Sequence, residues 1–460
     1  MNHPAAPRAA PAWLQATLAL VAALALAVRL PLALHHGFQA EEGEVFFAHA
    51  WHEPWPRALF ITLGGYLNLV ASGATLLAAR LVQHGAIPLA AAPWVTLAAA
   101  AAAQMVPALV IATARADWLA PMPARSAAVL FTILAPMTGE VALNTLHSQF
   151  HLALAAAALL ASEAAMGRTR RVLTLALLSL APLCGPAAIV LLPFFALRAA
   201  IERDRARAGQ ALALGLGTAV QLFVFLSPSA ARAHPGPLVL AALAGVRLIA
   251  LPLGGKGLAD LLGAAATGDV LAGRVPWPAL AVALVGLAAL LALVAAARRV
   301  SAWWLLGPAL VLAAFGLGGA IATPVSLFNV DLGQRYSFLP LVLGGWSLVA
   351  VSGAGGLCGR IAQGLSGWLL LVGLAGWHAS AHPDRPDGPG WRHEVAAWRA
   401  DPNHLLTTWP TAWQVDLAPR DGDPCTGRAA VQPRFCPAAW DLRQQLVLAG
   451  LARQPFAAPR

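Results

Sequence analysis

The chain has 460 residues, 59% of them hydrophobic and 11% charged, where a soluble domain carries roughly 25% charged residues. This composition excludes an ordinary soluble fold: apolar stretches of about 20 residues recur along the first four-fifths of the sequence, each long enough to cross a hydrocarbon core about 30 Å thick. The net charge of +10 does not indicate a nucleic-acid partner, because the basic residues are scattered in short turns between apolar runs, as positive-inside topology requires.

In chain order, the candidate spans fall at about 14–34, 58–83, 92–113, 124–137, 150–166, 172–184, 187–200, 209–227, 275–297, 302–321, 337–354 and 365–379. The first follows a short N-terminus with a single Arg8 and lacks a small-residue cleavage site, so it reads as a retained span and not a signal peptide. Next comes HHGFQAEEGEVFFAHAWHEPW, which puts Glu41, Glu42 and Glu44 at the membrane boundary beside His35, His36, His49 and His52. Acids at that depth tend to line wet cavities; the plainer reading is a solvated interfacial loop. Three runs lie between the outward loops 35–57 and 138–149, where parity demands an even number of crossings. Either 58–83, glycine-rich in ALFITLGGY, or the short 124–137 is therefore expected to re-enter or lie at the interface.

The second outward loop opens with Gly139 and Glu140 and leads into a span carrying Asn144, His147, Gln149 and His151. His147 and His151 share a helical face, so two metal ligands are available, but spacing fixes no third; hydrogen bonding at the helix end or substrate contact serves these residues as well. Residues 172–200 read as a kinked hairpin around CGP, with Pro182, Pro186 and Pro193. The stretch 237–262 is apolar but carries Arg247, Lys256 and Asp260. Interfacial helices are expected there, since central charges cost about 2.5–3.5 kcal/mol each on insertion scales. NVDLGQRYSFLP then places Asp331, Arg335 and Tyr336 before a span, where Arg335 can either snorkel to lipid phosphate or bind the phosphate of a substrate.

Dense positive charge at Arg168, Arg170 and Arg171, at Arg203, Arg205 and Arg207, and at Arg298 and Arg299 marks cytoplasmic turns. Loops 35–57, 138–149, 228–274 and 322–336 then face outward, the N-terminus is cytoplasmic, and residues 1–379 form the membrane domain. From 380 to 460 a polar appendage follows, with strand-like stretches in HLLTTWPTAWQVDL interrupted by Pro410. Cys425 and Cys436 lie close together in it, compatible with a disulfide in an oxidising compartment.

This layout resembles the GT-C class of polytopic glycosyltransferases, which includes oligosaccharyltransferases and the protein mannosyltransferase and aminoarabinose transferase group. The matching features are a first span followed at once by outward paired acids (Glu41, Glu42), a second outward acid about a hundred residues on (Glu140), an outward basic residue late in the bundle (Arg335), and an outward C-terminal domain. LGGYLNLV, GEVALNTLHSQFHLALA, CGPAAIVLLPF, QRYSFLPLVLGGW and WPTAWQVDL look like segments of a group of bacterial membrane proteins with this architecture. The first-loop acids are glutamates where aspartate is commoner in the class, and the aspartate-rich metal motif of oligosaccharyltransferases is missing.

The resemblance implies an all-α membrane protein, a GT-C-like bundle of about 11 (10–13) transmembrane helices with a small extracytoplasmic α+β appendage. It implies a sugar transferred from a polyprenyl-phosphate-linked donor to a glycan or lipid acceptor at the outer face of a bacterial inner membrane. Glu41 or Glu42 would act as general base with Glu140 in support. Arg335, with Lys256, would offset the leaving phosphate, and Asn144, His147, His151 and Tyr336 would contact substrate. No cofactor is certain; a divalent metal is possible but not indicated. A flippase or transporter of lipid-linked saccharides, or an O-antigen ligase or polymerase, would draw on the same residues.

Overall fold

The computed structural model describes residues 10–136, 139–164, 167–225, 235–320, 323–381 and 388–418. Among them six helices are long and apolar enough to cross a membrane: Ala12–His36, Leu89–Thr113, Pro237–Leu271, Trp277–Ala297, Val300–Gly318 and Gly356–Ser380. A seventh crossing results if Arg168–Leu183 and Pro186–Glu202, bent by 119° at their junction, form one broken span. The architecture is that of a helical, multi-pass membrane protein.

The expectation of about eleven spans differs from this because several apolar runs make helices that stop short. Leu69–Gln83 has 15 residues and Met122–Leu134 has 13, which at 1.5 Å per residue gives about 20–23 Å, less than the hydrocarbon thickness. In the run 58–83, Gly64 and Gly65 both take positive φ (61° and 82°) and turn Thr62–Leu63 back against Tyr66–Leu67 as an antiparallel hairpin. Two consecutive positive φ values are what a two-residue hairpin turn needs. Gln221 then clasps Leu67 as a strand would, accepting from its N–H (3.2 Å) and donating to its carbonyl (3.1 Å).

The stretch 237–262, expected as interfacial helices, belongs to the 35-residue helical run Pro237–Leu271, which kinks at Gly255 (φ 69°). Its arginine is accommodated by saturation. Arg247 is 1% exposed and donates to the carbonyls of Leu327 (2.6 Å), Asn329 (2.7 Å), Gly333 (3.3 Å) and Leu332, and to the Ser337 hydroxyl (3.3 Å). Those five acceptors match the five N–H groups of a guanidinium, so the insertion cost that argued against a span is met inside the protein.

At the centre stands the Ser148–Leu160 helix, buried on every side, with Ala155, Ala156, Ala157 and Ala158 all at 0% exposure. Small side chains let neighbouring helices approach closely where no water is present to drive packing. The Ala92–Thr113 and Arg335–Ser352 helices pack against it.

The C-terminal segment 388–418 comprises the helix Trp391–Ala400 and an antiparallel hairpin, Leu406–Thr407 with Gln414–Val415. It docks on the chain that leaves the first helix. Ala40 donates to the Trp409 carbonyl (2.7 Å), Gln414 N–H to the Glu44 carboxylate (3.1 Å), and His52 meets the Asp416 carbonyl (3.0 Å). The His36 and Trp409 rings stack at 4.9 Å. Gly37 ends the first helix at φ 75°, and a Cβ there would lie 2.6 Å from the Trp391 ring; only glycine fits both demands. Cys425 and Cys436 lie outside the described residues; Cys184 and Cys358 are free thiols.

The Ala92–Thr113 helix, 22 residues and so about 33 Å long, sets two ends of the bundle apart. Its start lies beside Leu89, whose carbonyl accepts from Trp391 at 3.3 Å. Its finish receives Arg125, which donates to the carbonyls of Ile111, Ala112 and Ala114 (2.7, 3.0 and 2.9 Å), and Arg170, which donates to Thr113. Arg198 and Arg207 gather at the same end around Ser162 and Glu202.

Candidate functional site

Glu41 and Glu42 are adjacent in sequence and part company in the fold. The chain from Glu42 to Phe47 is one turn of π-helix, a form that recurs at functional sites. Glu42 points inward and is 2% exposed. Its carboxylate accepts from the Thr145 hydroxyl, the Thr145 N–H (3.3 Å) and the Gln39 N–H (3.4 Å). Burial pushes its pKa up to about 7, against the opposing pull of those hydrogen bonds from Thr145 and Gln39. Glu42 thus ties the 39–42 turn to the Thr145 turn.

Glu41, half-buried, faces a different group. It interacts electrostatically with Tyr66, His147 and Arg335. Arg335, first residue of the Arg335–Ser352 helix, is ion-paired with Glu140 through its guanidinium and donates to Glu140 through its own N–H (3.1 Å). The guanidinium also reaches the Tyr336 hydroxyl (3.2 Å). Glu140 is held from behind as well, its N–H donating to Gln334 (3.0 Å) and its carbonyl meeting His147 Nδ1 (2.8 Å). Side-chain exposures of 31% for Arg335 and 22% for Glu140 leave this pair partly open.

Tyr66 completes the group and was not singled out by spacing. It comes from the hairpin, hydrogen-bonds Gln149 and interacts with Arg335, Tyr336 and Glu41. The signal available was scarcity, since the chain has two tyrosines in all and both stand here. Room for Gln149 comes from the CGP hinge: Gly185, at φ 144°, leaves space where a Cβ would overlap the Gln149 amide.

The other expected residues have partners within the protein. Asn144 donates to Gln39 (2.9 Å) and accepts from the Leu146 N–H (2.8 Å). His151 sets Nε2 on the Val141 carbonyl (2.9 Å) and lies edge-on to Phe338. Both histidines of the 147/151 pair thus spend a ring nitrogen on main-chain carbonyls. Among the described residues no group of three or more His, Cys, Asp or Glu is disposed to hold a metal ion. Lys256 is exposed and engaged elsewhere, paired with Asp331 (2.6 Å) and Asp260 (2.9 Å).

The arrangement is a partly open Glu140–Arg335 pair with the Tyr336 hydroxyl on its guanidinium, and with the Glu41 carboxylate and Tyr66 in electrostatic contact with Arg335. It can accept a proton on one side and stabilise an oxyanion on the other. No known protein family, no curated protein and no solved structure matches the chain.

Proposed function

We propose that the protein is a glycosyltransferase that moves a sugar from a polyprenyl-phosphate-linked donor to a cell-envelope glycan or lipid acceptor at the outer face of a bacterial inner membrane. The observation that carries this reading is the convergence of Glu41, Tyr66 and Arg335, from three separate segments, on one partly open group. In the reaction the acceptor hydroxyl attacks the anomeric carbon, its proton passes to Glu41, and the bond from that carbon to the donor phosphate oxygen breaks. The phosphate leaves with the electron pair and extra negative charge. Arg335 and the tyrosine hydroxyls are the donors at hand to offset it. Glu140, which pairs with Arg335, is assigned a positioning role, and the phosphate competes with it for the guanidinium.

Of the two first-loop acids the base is therefore Glu41. The flippase reading gains less support, because the arginines buried within helices are tied down: Arg247 by its five acceptors and Arg29 by Ser380 (2.8 Å) and the Trp377 ring. A mobile polar path needs charges that are not so committed. Transfer of labelled sugar from synthetic polyprenyl-phosphate donors to envelope acceptors, followed in membranes, tests the proposal. Glu41→Gln keeps shape and should lower transfer by about 10²–10⁴-fold, as loss of a general base does, while Glu42→Gln should cost less than about tenfold. Transfer by Glu41→Gln at the wild-type rate removes the enzyme reading.

A further inference from the structure

At the arginine-rich end, the first turns of the helices Arg168–Leu183 and Arg205–Phe225 border a cavity of about 230 Å³ whose lining includes Arg171, Thr174, Asp204, Arg205, Gly209 and Gln210. It is remote from the Glu41 group. Gln221, four turns further along the second helix, is the residue that holds Leu67 beside Tyr66, and the 16 residues back to Arg205 span about 24 Å.

The donors around this cavity are uncommitted. Thr174 is 7% exposed, and its hydroxyl has no hydrogen-bond partner among the described residues, although a helical threonine ordinarily bonds to the carbonyl one turn back. Gln210, 3% exposed, uses its oxygen to accept from Arg207 (3.1 Å), and its amide nitrogen has no partner among the described residues. Arg171 and Arg205 likewise have no side-chain hydrogen bond or ion pair among the described residues, in contrast to Arg198 and Arg207, which share Glu202. The Asp204 carboxylate, which also lines the cavity, accepts from the Ala206 N–H (3.0 Å) with one oxygen and caps the start of the second helix. Two guanidinium groups, a hydroxyl and an amide, set against the single Asp204 carboxylate, therefore surround one space, a donor-rich lining of net positive charge of the kind that receives a phosphate.

The walls indicate which phosphate. Nothing lies within 4 Å of where a Cβ on Gly209 would stand, so the floor is open. Arg205, Gly209, Leu212 and Leu216 follow one helical stripe, and Leu212 and Leu216 are 63% and 61% exposed. A free anion makes no use of an apolar stripe; an acyl chain does. We propose that this cavity binds the phosphate of an anionic phospholipid, with Arg171, Arg205, Thr174 and Gln210 on the headgroup and the acyl chains along Leu212 and Leu216.

Native mass spectrometry of the full-length protein, released from detergent after incubation with phosphatidylglycerol, phosphatidylcholine or inorganic phosphate, tests this. Phosphatidylglycerol should be retained about tenfold more than phosphatidylcholine, and millimolar inorganic phosphate should not displace it. Gly209→Phe, which fills the cavity and leaves every charge in place, and Thr174→Val, which removes only the hydroxyl, should each lower retention by about fivefold or more. The double variant Arg171→Gln with Arg205→Gln should lower it further, whereas Arg168→Gln, on an exposed arginine outside the cavity, should leave it within about twofold. Displacement by phosphate would make this an inorganic-anion site. Wild-type retention in both Gly209→Phe and Thr174→Val, an equal loss in Arg168→Gln, or no preference over phosphatidylcholine would reduce it to diffuse attraction by a basic surface. Any of these outcomes overturns the proposal.

Discussion

The Glu42 carboxyl sits in a protein interior with three donors turned on it, and burial still outweighs them, so that its pKa rises to about 7. Between the ordinary carboxyl value and about 7 the folded chain binds the proton that the unfolded chain releases. The group's contribution to stability is therefore full at low pH and is lost as the pH rises through that window, by up to about 3 kcal/mol. Thermal unfolding in detergent should show wild type losing stability relative to Glu42→Gln between about pH 4.5 and 7. Parallel curves for the two proteins across that range would mean that Glu42 is not desolvated as described. Tyr66 makes a second residue-scale case. Its hydroxyl lies with Arg335 and Gln149, and Tyr66→Phe removes that donor without opening a cavity. Transfer should fall by about 10–100-fold with unfolding temperature nearly unchanged; loss of both together would mark Tyr66 as a packing residue.

Among elements, the helical run Pro237–Leu271 fixes the approach to Arg335 by holding the carbonyls of the 327–333 loop on Arg247. Arg247→Gln would leave several of those carbonyls and a poorly filled site, and an orphaned buried group costs about 1–3 kcal/mol. The variant should unfold at lower temperature, and the amides of residues 327–337 should exchange with deuterium faster than in wild type. Unchanged exchange in that segment would show that the loop is held by something other than Arg247. This element also shows what sequence patterning conceals. Apolar runs and their breaks were legible at Ala12–His36, Ala92–Thr113, Trp277–Ala297 and in the CGP hinge, because hydropathy and proline act locally. The span through Arg247 was not, because the oxygens that make its charge tolerable come from about 80 positions further on. Of the short helices Leu69–Gln83 and Met122–Leu134, parity marked one as re-entrant or interfacial and left the other as a span, because apolar composition marks burial against protein as readily as against lipid.

Over the whole molecule, the candidate site is assembled by contacts with no local cause, such as the Glu140 pair with Arg335 across 195 positions. Spacing could name Glu41, Glu140 and Arg335 as boundary residues, yet it could not choose Glu41 over Glu42 or add Tyr66, since that choice depends on a π-turn and a hairpin from elsewhere. The same long-range logic ties down topology. Segment 388–418 bonds to the chain at 38–52 through Trp409, Gln414 and Asp416, so the two must lie on one side of the membrane. The arginines around Thr113 and Ser162 are a helix length away, and the positive-inside rule predicts the cytoplasmic side for them. In a protein with its cysteines replaced, single cysteines at exposed Arg57 and Asn403 should both react with a membrane-impermeant maleimide added to intact spheroplasts. One at exposed Arg205 should react only after the membrane is opened. Labelling of Arg57→Cys and Asn403→Cys from opposite sides would separate the tail from the first loop. It would break the contacts between segment 388–418 and the chain at 38–52 and, with them, the outward-facing site that the proposed sugar transfer requires.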